Sequence, residues 1–313
     1  MEETIKSLKF KISLPTEDEM IKQIRLTSEI VWKKHLLKEN IDEWLSNFKG
    51  EVFEKKYEDQ LALWLLSNFV YYNEDEVKHL CNSLYRDFIH NAMLQIPLNS
   101  DVESEYNKIL DKSRFYSLGK PGESSGFVLY YFRQINDLPI GKFITDLNTL
   151  DKNVETIIFV DDVLLSDGNK SQASKYINKF KNKFPILKSK KIIVLSFIAT
   201  TEAIKFLSKE KISVVNCITL DERHKCFSPD SMVFYHFKEH LANAKRFAEH
   251  YGGKIKPNNP LGHNDGQFLF GFFYNTPDNT LPIFWAEEND WIPIRKRYHK
   301  NYHNKLINLG KYI

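Results

Sequence analysis

Val154-Glu-Thr-Ile-Ile-Phe-Val-Asp-Asp-Val-Leu-Leu-Ser-Asp-Gly-Asn169 decides the fold. An apolar run, Thr156 to Val160, ends in adjacent carboxylates, Asp161 and Asp162, and a small polar loop follows from Ser166 to Asn169. Ala173, Tyr176, Ile177 and Phe180 then recur at helical spacing. The order is buried strand, acid pair, tight loop, helix. In open α/β sheets ligands sit outside the carboxyl ends of the strands, and the amides that open the next helix attract anions. An acid pair beside such amides suits a ligand with vicinal hydroxyls and a phosphate, such as a ribose 5-phosphate. The plainer reading is a βα unit whose acids cap the following helix.

Val160-Asp161-Asp162-Val163-Leu164 resembles the ribose-phosphate loop of type I phosphoribosyltransferases: an apolar run, two acids, an apolar pair and a small polar loop. The resemblance implies that Asp161 and Asp162 hold the ribose hydroxyls and carry the catalysis, and that Ser166, Gly168 and Asn169 hold the 5-phosphate. Two positions depart from the pattern. Leu165 stands where a hydroxyl residue is usual, and Asp167 where glycine is usual. A carboxylate beside a phosphate is repulsive unless it points away or a metal intervenes.

A second strand–loop–helix pattern lies upstream. Arg114 to Leu118 alternates like a strand, Gly119-Lys-Pro-Gly-Glu-Ser-Ser-Gly126 is a polar loop, and Phe127 to Gln134 reads as a buried helix. This loop resembles the one that contacts pyrophosphate in the same enzymes, which implies roles for Lys120, Ser124, Ser125 and Gly126. Its alternative is an ordinary βα connection. Further strands are expected at 191–197 and 212–218, with a helix over 202–209 between them. Strands alternating with helices predict an α/β fold with a mostly parallel sheet flanked by helices. The interval 137–150 is too short for the strand pair and mobile hood that these enzymes usually carry. A closing element is therefore expected from the N-terminal helices or from the segment after residue 228.

Residues 1 to about 105 read as helical throughout, with Asn73 as an N-cap. The expected organisation is an N-terminal all-helical accessory or docking domain, 1–105, followed by a phosphoribosyltransferase-like domain with a C-terminal extension, 106–313. Apolar content of 42% and aromatic content of 14% support a real core. A net charge of +3 confines any nucleic-acid contact to a local patch. Cys81, Cys217 and Cys226 show no paired spacing and read as reduced thiols of a cytoplasmic protein. The longest apolar run, 268–274, is far short of the ~20 residues a membrane helix needs.

The C-terminal third holds three further candidates. Leu220 to Ser228 gathers ionisable groups after a strand, so Arg223 could face a pyrophosphate and Asp221, with Asp161, could hold Mg²⁺; a solvated loop is the alternative. His236-Phe-Lys-Glu-His240 fits an inverted zinc-protease pattern but lacks an acidic third ligand downstream. From Trp291 to the end, Arg295, Lys296, Arg297 and Lys300 alternate with tyrosines and no acid, a composition suited to nucleic acid or equally to a solubilising tail.

Pro260-Leu-Gly262 and Asn275-Thr-Pro-Asp-Asn-Thr-Leu-Pro282, followed by Trp285, match no general chemical motif. They resemble the tail of phosphoribosyltransferase-like proteins in bacterial conflict systems, including some encoded beside retrons. That resemblance implies an anti-phage effector that binds phosphoribosyl pyrophosphate or a nucleotide, with Mg²⁺, and cleaves or transfers at the anomeric carbon. Its rival is a non-catalytic nucleotide sensor or scaffold that assembles with a reverse transcriptase and its RNA or DNA.

Overall fold

The computed structural model describes residues 13–33, 38–93, 101–119, 122–166 and 172–297. In chain order the elements are α1 (Glu17–Ile30), α2 (Lys38–Leu45), α3 (Lys55–Ser67), β1 (Val70–Tyr72), α4 (Glu74–Met93), α5 (Val102–Asp111), β2 (Ser113–Ser117), α6 (Ser124–Ile135), β3 (Thr156–Leu164) and α7 (Gln172–Lys183). They continue with β4 (Lys191–Thr200), α8 (Thr201–Lys209), β5 (Ser213–Leu220), α9 (Lys238–Ile255), β6 (Phe270–Phe272) and α10 (Pro282–Trp285). Among the described residues the chain forms two compact units. One combines Met1–Tyr71 with Glu222–Arg297, and the other is Tyr72–Asp221.

The second unit is the α/β unit that the alternating pattern predicts. Its sheet is parallel throughout, in the order β2-β3-β4-β5. Helices cover both faces, which is why β3 and β4 read as nearly continuous apolar runs. Ile157 and Phe159 of β3 join Ile192 and Val194 of β4 in a cluster with Ala173 and Ile177 of α7 and Ala203 and Leu207 of α8. The opposite face carries Phe115, with the rings of Phe88 in α4 and Phe132 in α6 at 6.1 and 5.8 Å. Asn73 caps α4 as expected, its Oδ1 accepting from the N–H groups of Asp75 and Glu76 at 2.9 and 3.0 Å.

Interval 137–150 contains no strand pair. It makes two short 3₁₀ turns, at Ile140–Lys142 and Leu147–Thr149, and lays Phe143 beside β2 with its ring stacked 5.0 Å from Phe115. Of the segments expected to supply a closing element, helices α1 to α3 and residues 229–297 belong to the first unit, and helices α4 and α5 to the second.

That first unit is held by aromatic packing. Trp44 stacks on Phe284 at 5.3 Å, and Phe48 meets Phe247, Tyr251 and Trp291 at 4.9, 5.1 and 5.4 Å. Such pairs add ~0.5–1.5 kcal/mol each beyond area burial. Trp44 and Trp291 both donate their indole N–H to the Ile283 carbonyl, at 2.7 and 3.0 Å. The Pro-Leu-Gly and Asn-Thr-Pro segments turn out to be one packed device. His263 N–H donates to Asp278 O, Asn279 Nδ2 to His263 O, and Thr280 Oγ1 to Phe270 O, all within 2.7–2.8 Å. Gly262 has a φ of +95°, and a Cβ there would stand 2.5 Å from the Asn279 carbonyl. These signature residues are explained by folding rather than by chemistry.

The division at residue 105 does not coincide with the compact units. Helices α1 to α3 belong to the unit that holds 222–297, while α4 packs on α6, β4 and β5, and α5 on β2. An apolar stripe specifies that a helix face is buried, not which later segment buries it. Among the described residues the N-terminal helices α1 to α3 and helices α4 and α5 thus fall in different compact units.

One buried carboxylate organises the first unit. Glu58 is fully buried and accepts from the N–H groups of Gly50, Val52 and Phe53 at 2.8, 2.7 and 3.1 Å, and from Tyr251 OH at 2.6 Å. Burial alone would raise its pKa. The Tyr251 hydroxyl and the three amides more than offset that and hold the carboxyl below its usual 4.5. A depressed carboxylate contributes stability that is present above 4.5 and lost as pH falls through the folded value. Glu58→Gln should therefore lower unfolding free energy at pH 7 by about 1.5–3 kcal/mol, the worth of hydrogen bonds to a charged group. Denaturant titration should show that deficit shrinking below pH 4.5.

Candidate functional site

Strand β3 does not stop at the acid pair. It continues through Asp161 and Asp162 to Leu164, so the carboxylates sit within an extended strand near its carboxyl end. Pairing with β4 runs through the acid pair in one register, with Asp161 facing Ser196 and Val163 facing Ile198. Ser196 is fully buried, and its Oγ lies 3.1 Å from Asp162 O and 2.8 Å from Ile198 O. Each carboxylate accepts from the next amide, Asp162 N–H to Asp161 Oδ1 at 2.9 Å and Val163 N–H to Asp162 Oδ1 at 3.0 Å.

The first loop reaches the same sheet edge, because β2 pairs with β3 in parallel from Ser113↔Thr156 to Ser117↔Val160. Ser125 is buried and works inside this loop. Its Oγ accepts from Ser117 Oγ at 2.8 Å and from Gly119 N–H at 3.0 Å. Gly126 N–H donates to Glu123 O at 3.1 Å, closing the first turn of α6. Glu123 occupies the N-cap position without a side-chain cap. Its carboxylate packs on Gly119 instead: a Cβ added there would lie 2.6 Å from Glu123 Oε2 and 2.4 Å from Ser125 Oγ.

Burial, then the charge of Asp162 beside it, then that of Glu123, hold the Asp161 carboxyl well above the usual carboxylate range. Asp162 of the same strand and Glu123 of the loop after β2 thus both act on Asp161 at this edge. Glu123 escaped the sequence reading, although an acid inside a polar loop proposed for pyrophosphate was the available signal.

The predicted site residues fall into four groups. Asp161, Asp162, Ser166, Ser124, Ser125 and Gly126 all belong to the β2 and β3 units at one sheet edge. Leu165 is buried, so its place in the loop is an apolar packing position. Lys120, Gly168, Asn169 and Lys300 lie outside the described residues. Asp221 follows β5, two strands from β3, which is roughly 10 Å at the usual strand spacing. No cluster of three His, Cys, Asp or Glu suited to a metal occurs among the described residues. Arg223 belongs to the first unit.

The C-terminal cations that read as a nucleic-acid patch are engaged within the first unit. Arg295 lies 3.9 Å over the Tyr71 ring. Arg297 donates to Thr276 O, pairs with Asp278 at 3.4 Å and lies 5.5 Å over Trp285. Lys296 pairs with Glu287 at 2.8 Å. The His-x-x-Glu-His pattern also dissolves: His236 precedes α9, and His240 Nδ1 is hydrogen-bonded to Tyr57 OH at 2.7 Å. The two imidazoles do not share a helical face. No helix among the described residues is long and apolar enough to cross a membrane.

The PRTase-CE family model matches residues 41–297. The chain belongs to the PRTase-CE family. The match spans both compact units, so the signature device at 258–285 is as much part of the family as the α/β unit. Among solved structures the chain is similar to the Helicobacter pylori xanthine-guanine-hypoxanthine phosphoribosyltransferase, at 13% identity and a TM-score of 0.29, over 49% of this chain and 84% of that one. No curated protein matches.

The electrostatics give a test independent of any ligand. A carboxyl raised in the fold is ionised first in the unfolded chain, so wild-type stability should fall as pH rises above 3.8 toward the folded value. Asp161→Asn removes that penalty. Thermal unfolding should show the variant more stable than wild type at pH 7, by on the order of 2 °C or more. The gain should vanish near pH 4. A variant destabilised at every pH would contradict the assignment of burial as the dominant cause.

Proposed function

We propose that this PRTase-CE protein binds a phosphoribosyl ligand, phosphoribosyl pyrophosphate or a nucleotide, across the carboxyl ends of β2 and β3. The observation that carries the reading is the register. Adjacent parallel strands bring the acid pair and the polar first loop to one edge, where open α/β sheets bind ligands. Asp161 and Asp162 hold the ribose hydroxyls. The loop from Ser166 onward, with Gly168 and Asn169, takes the 5-phosphate. Ser124 and the amides that open α6, with Lys120, take the pyrophosphate or its equivalent. Ser125 shapes this loop from inside.

Mg²⁺ fits this donor set only as a companion of the ligand. It commonly uses one or two carboxylates plus substrate phosphates, and Asp162 and Glu123 are carboxylates placed for that. Bound with the ligand, it would neutralise developing charge on the leaving pyrophosphate. The reaction supported is displacement at the anomeric carbon: the C1–pyrophosphate bond breaks, and water or an acceptor forms the new bond. Asp161, displaced toward its protonated form, both donates to and accepts from a diol. A role as a cytoplasmic anti-phage effector, with a reverse transcriptase and its RNA or DNA as partner, is supported by the resemblance of the 258–285 segment to conflict-system proteins.

A non-catalytic sensor or scaffold is the second reading. Glu123 packed on Gly119 and Leu165 buried in the ribose loop favour it, since both oppose tight binding of a bare pyrophosphate. Isothermal titration separates the two. Phosphoribosyl pyrophosphate with Mg²⁺ should bind wild type and should not bind the Asp161→Asn/Asp162→Asn double variant. Glu123→Gln should bind the same ligand more tightly than wild type when Mg²⁺ is withheld. Absence of binding by all three proteins, with and without Mg²⁺, supports the scaffold.

A further inference from the structure

A second surface of the α/β unit carries a charge pattern that the ligand site does not use. Between Lys170 and Lys191 the chain has eight lysines, at 170, 175, 179, 181, 183, 188, 190 and 191, with no Asp, Glu or Arg. The whole molecule has a net charge of only +3, so this is a local concentration. Helix α7 displays it in order. Its apolar residues, Ala173 and Ile177 with Tyr176 and Phe180, are committed to the core cluster. Lys175, Lys179 and Lys183 recur every four residues along one stripe and are exposed. Lys188 extends the exposed set beyond α7, and Lys205 and Lys209 add to it from α8, which packs on α7.

The charges are largely unneutralised. Among the described residues no carboxylate pairs with Lys179, Lys181, Lys183 or Lys188; Lys183 lies 5.1 Å over the Phe184 ring. Three acids on neighbouring segments make other contacts. Glu210 accepts from Asn178, Glu202 from Thr201, and Glu155 pairs with Lys112 at 2.7 Å. Lys190 is set aside, since its Nζ donates to Lys152 O and Val154 O.

We propose that the lysine face of α7, the turn after it and α8 docks the phosphodiester backbone of a duplex nucleic acid. Three features choose this partner. A surface on which exposed lysines outnumber acids is complementary to closely spaced phosphates and releases their counterions on binding. No large apolar residue between 141 and 231 is exposed among the described residues, which removes the anchors an amphipathic helix needs at a lipid surface. The same absence removes the exposed rings on which single-stranded bases stack. Lysine alone, without arginine forks, reads charge rather than base identity.

The test is fluorescence anisotropy of a labelled mixed-sequence 20-base-pair duplex, from low to physiological salt, with the full chain. A Lys179→Ala/Lys183→Ala/Lys188→Ala variant should bind at least tenfold more weakly. Its plot of log affinity against log salt should be shallower by roughly 0.9 per lysine lost. A control variant, Lys22→Ala/Lys56→Ala/Lys238→Ala, removes equal charge from exposed positions of the first unit and should leave both affinity and slope near wild type. Equal losses in the two variants would overturn the proposal in favour of net charge. Absence of duplex binding by wild type at low salt would overturn it outright. So would tighter binding to the matching single strand, or to vesicles containing anionic lipid. Circular dichroism melting of both variants excludes misfolding as the cause.

Discussion

Strand β3 is paired on both edges and covered on both faces, and that enclosure constrains everything around it. A strand so placed admits apolar residues along its length and polar ones only where the sheet opens at its carboxyl end. Asp161 and Asp162 stand at that limit. The acid pair is tolerated because Ser196 Oγ donates to the Asp162 carbonyl and the next amides meet the carboxylates. Burial still displaces Asp161 toward its protonated form. The same enclosure that builds the core thus stores an unfavourable charge at the ligand edge, as expected where stability is traded for function.

The β2 loop completes that edge. Gly119 allows Ser125 and Glu123 to press against its backbone, and its amide donates to Ser125 Oγ. The described part of this loop is thus held by its own hydrogen bonds, with the Glu123 carboxylate against Gly119. Whether this edge turns over or only senses depends on how a ligand and its cation meet Glu123.

The α/β unit was legible because its periodicities are strong and its neighbours in space are neighbours in sequence. β3, β4, β5, α7 and α8 follow directly from alternating apolar runs and helical stripes. The two-unit division was not, since α1 to α3 find their partners some 200 residues downstream and amphipathicity does not name a partner. The contacts that Arg295 and Arg297 make within the first unit were not legible for a different reason. A guanidinium over an aromatic ring is weakly hydrated and packs inside a fold, so an acid-free cation run near a terminus need not face solvent. The lysine stretch of 170–191 is the contrasting case, where cations and core residues alternate with helical period. Glu123 was overlooked because a glycine- and serine-rich loop draws attention to its amides rather than its acid.

Hydrogen exchange in the presence and absence of phosphoribosyl pyrophosphate with Mg²⁺ tests the central claim most directly. The account predicts added protection confined to the amides that open α6, at Ser124 to Gly126, and to those of Val163 to Ser166, where β2 and β3 end. Protection that appears instead in the first unit, or none at saturating ligand, would contradict the assignment of this sheet edge as the binding site.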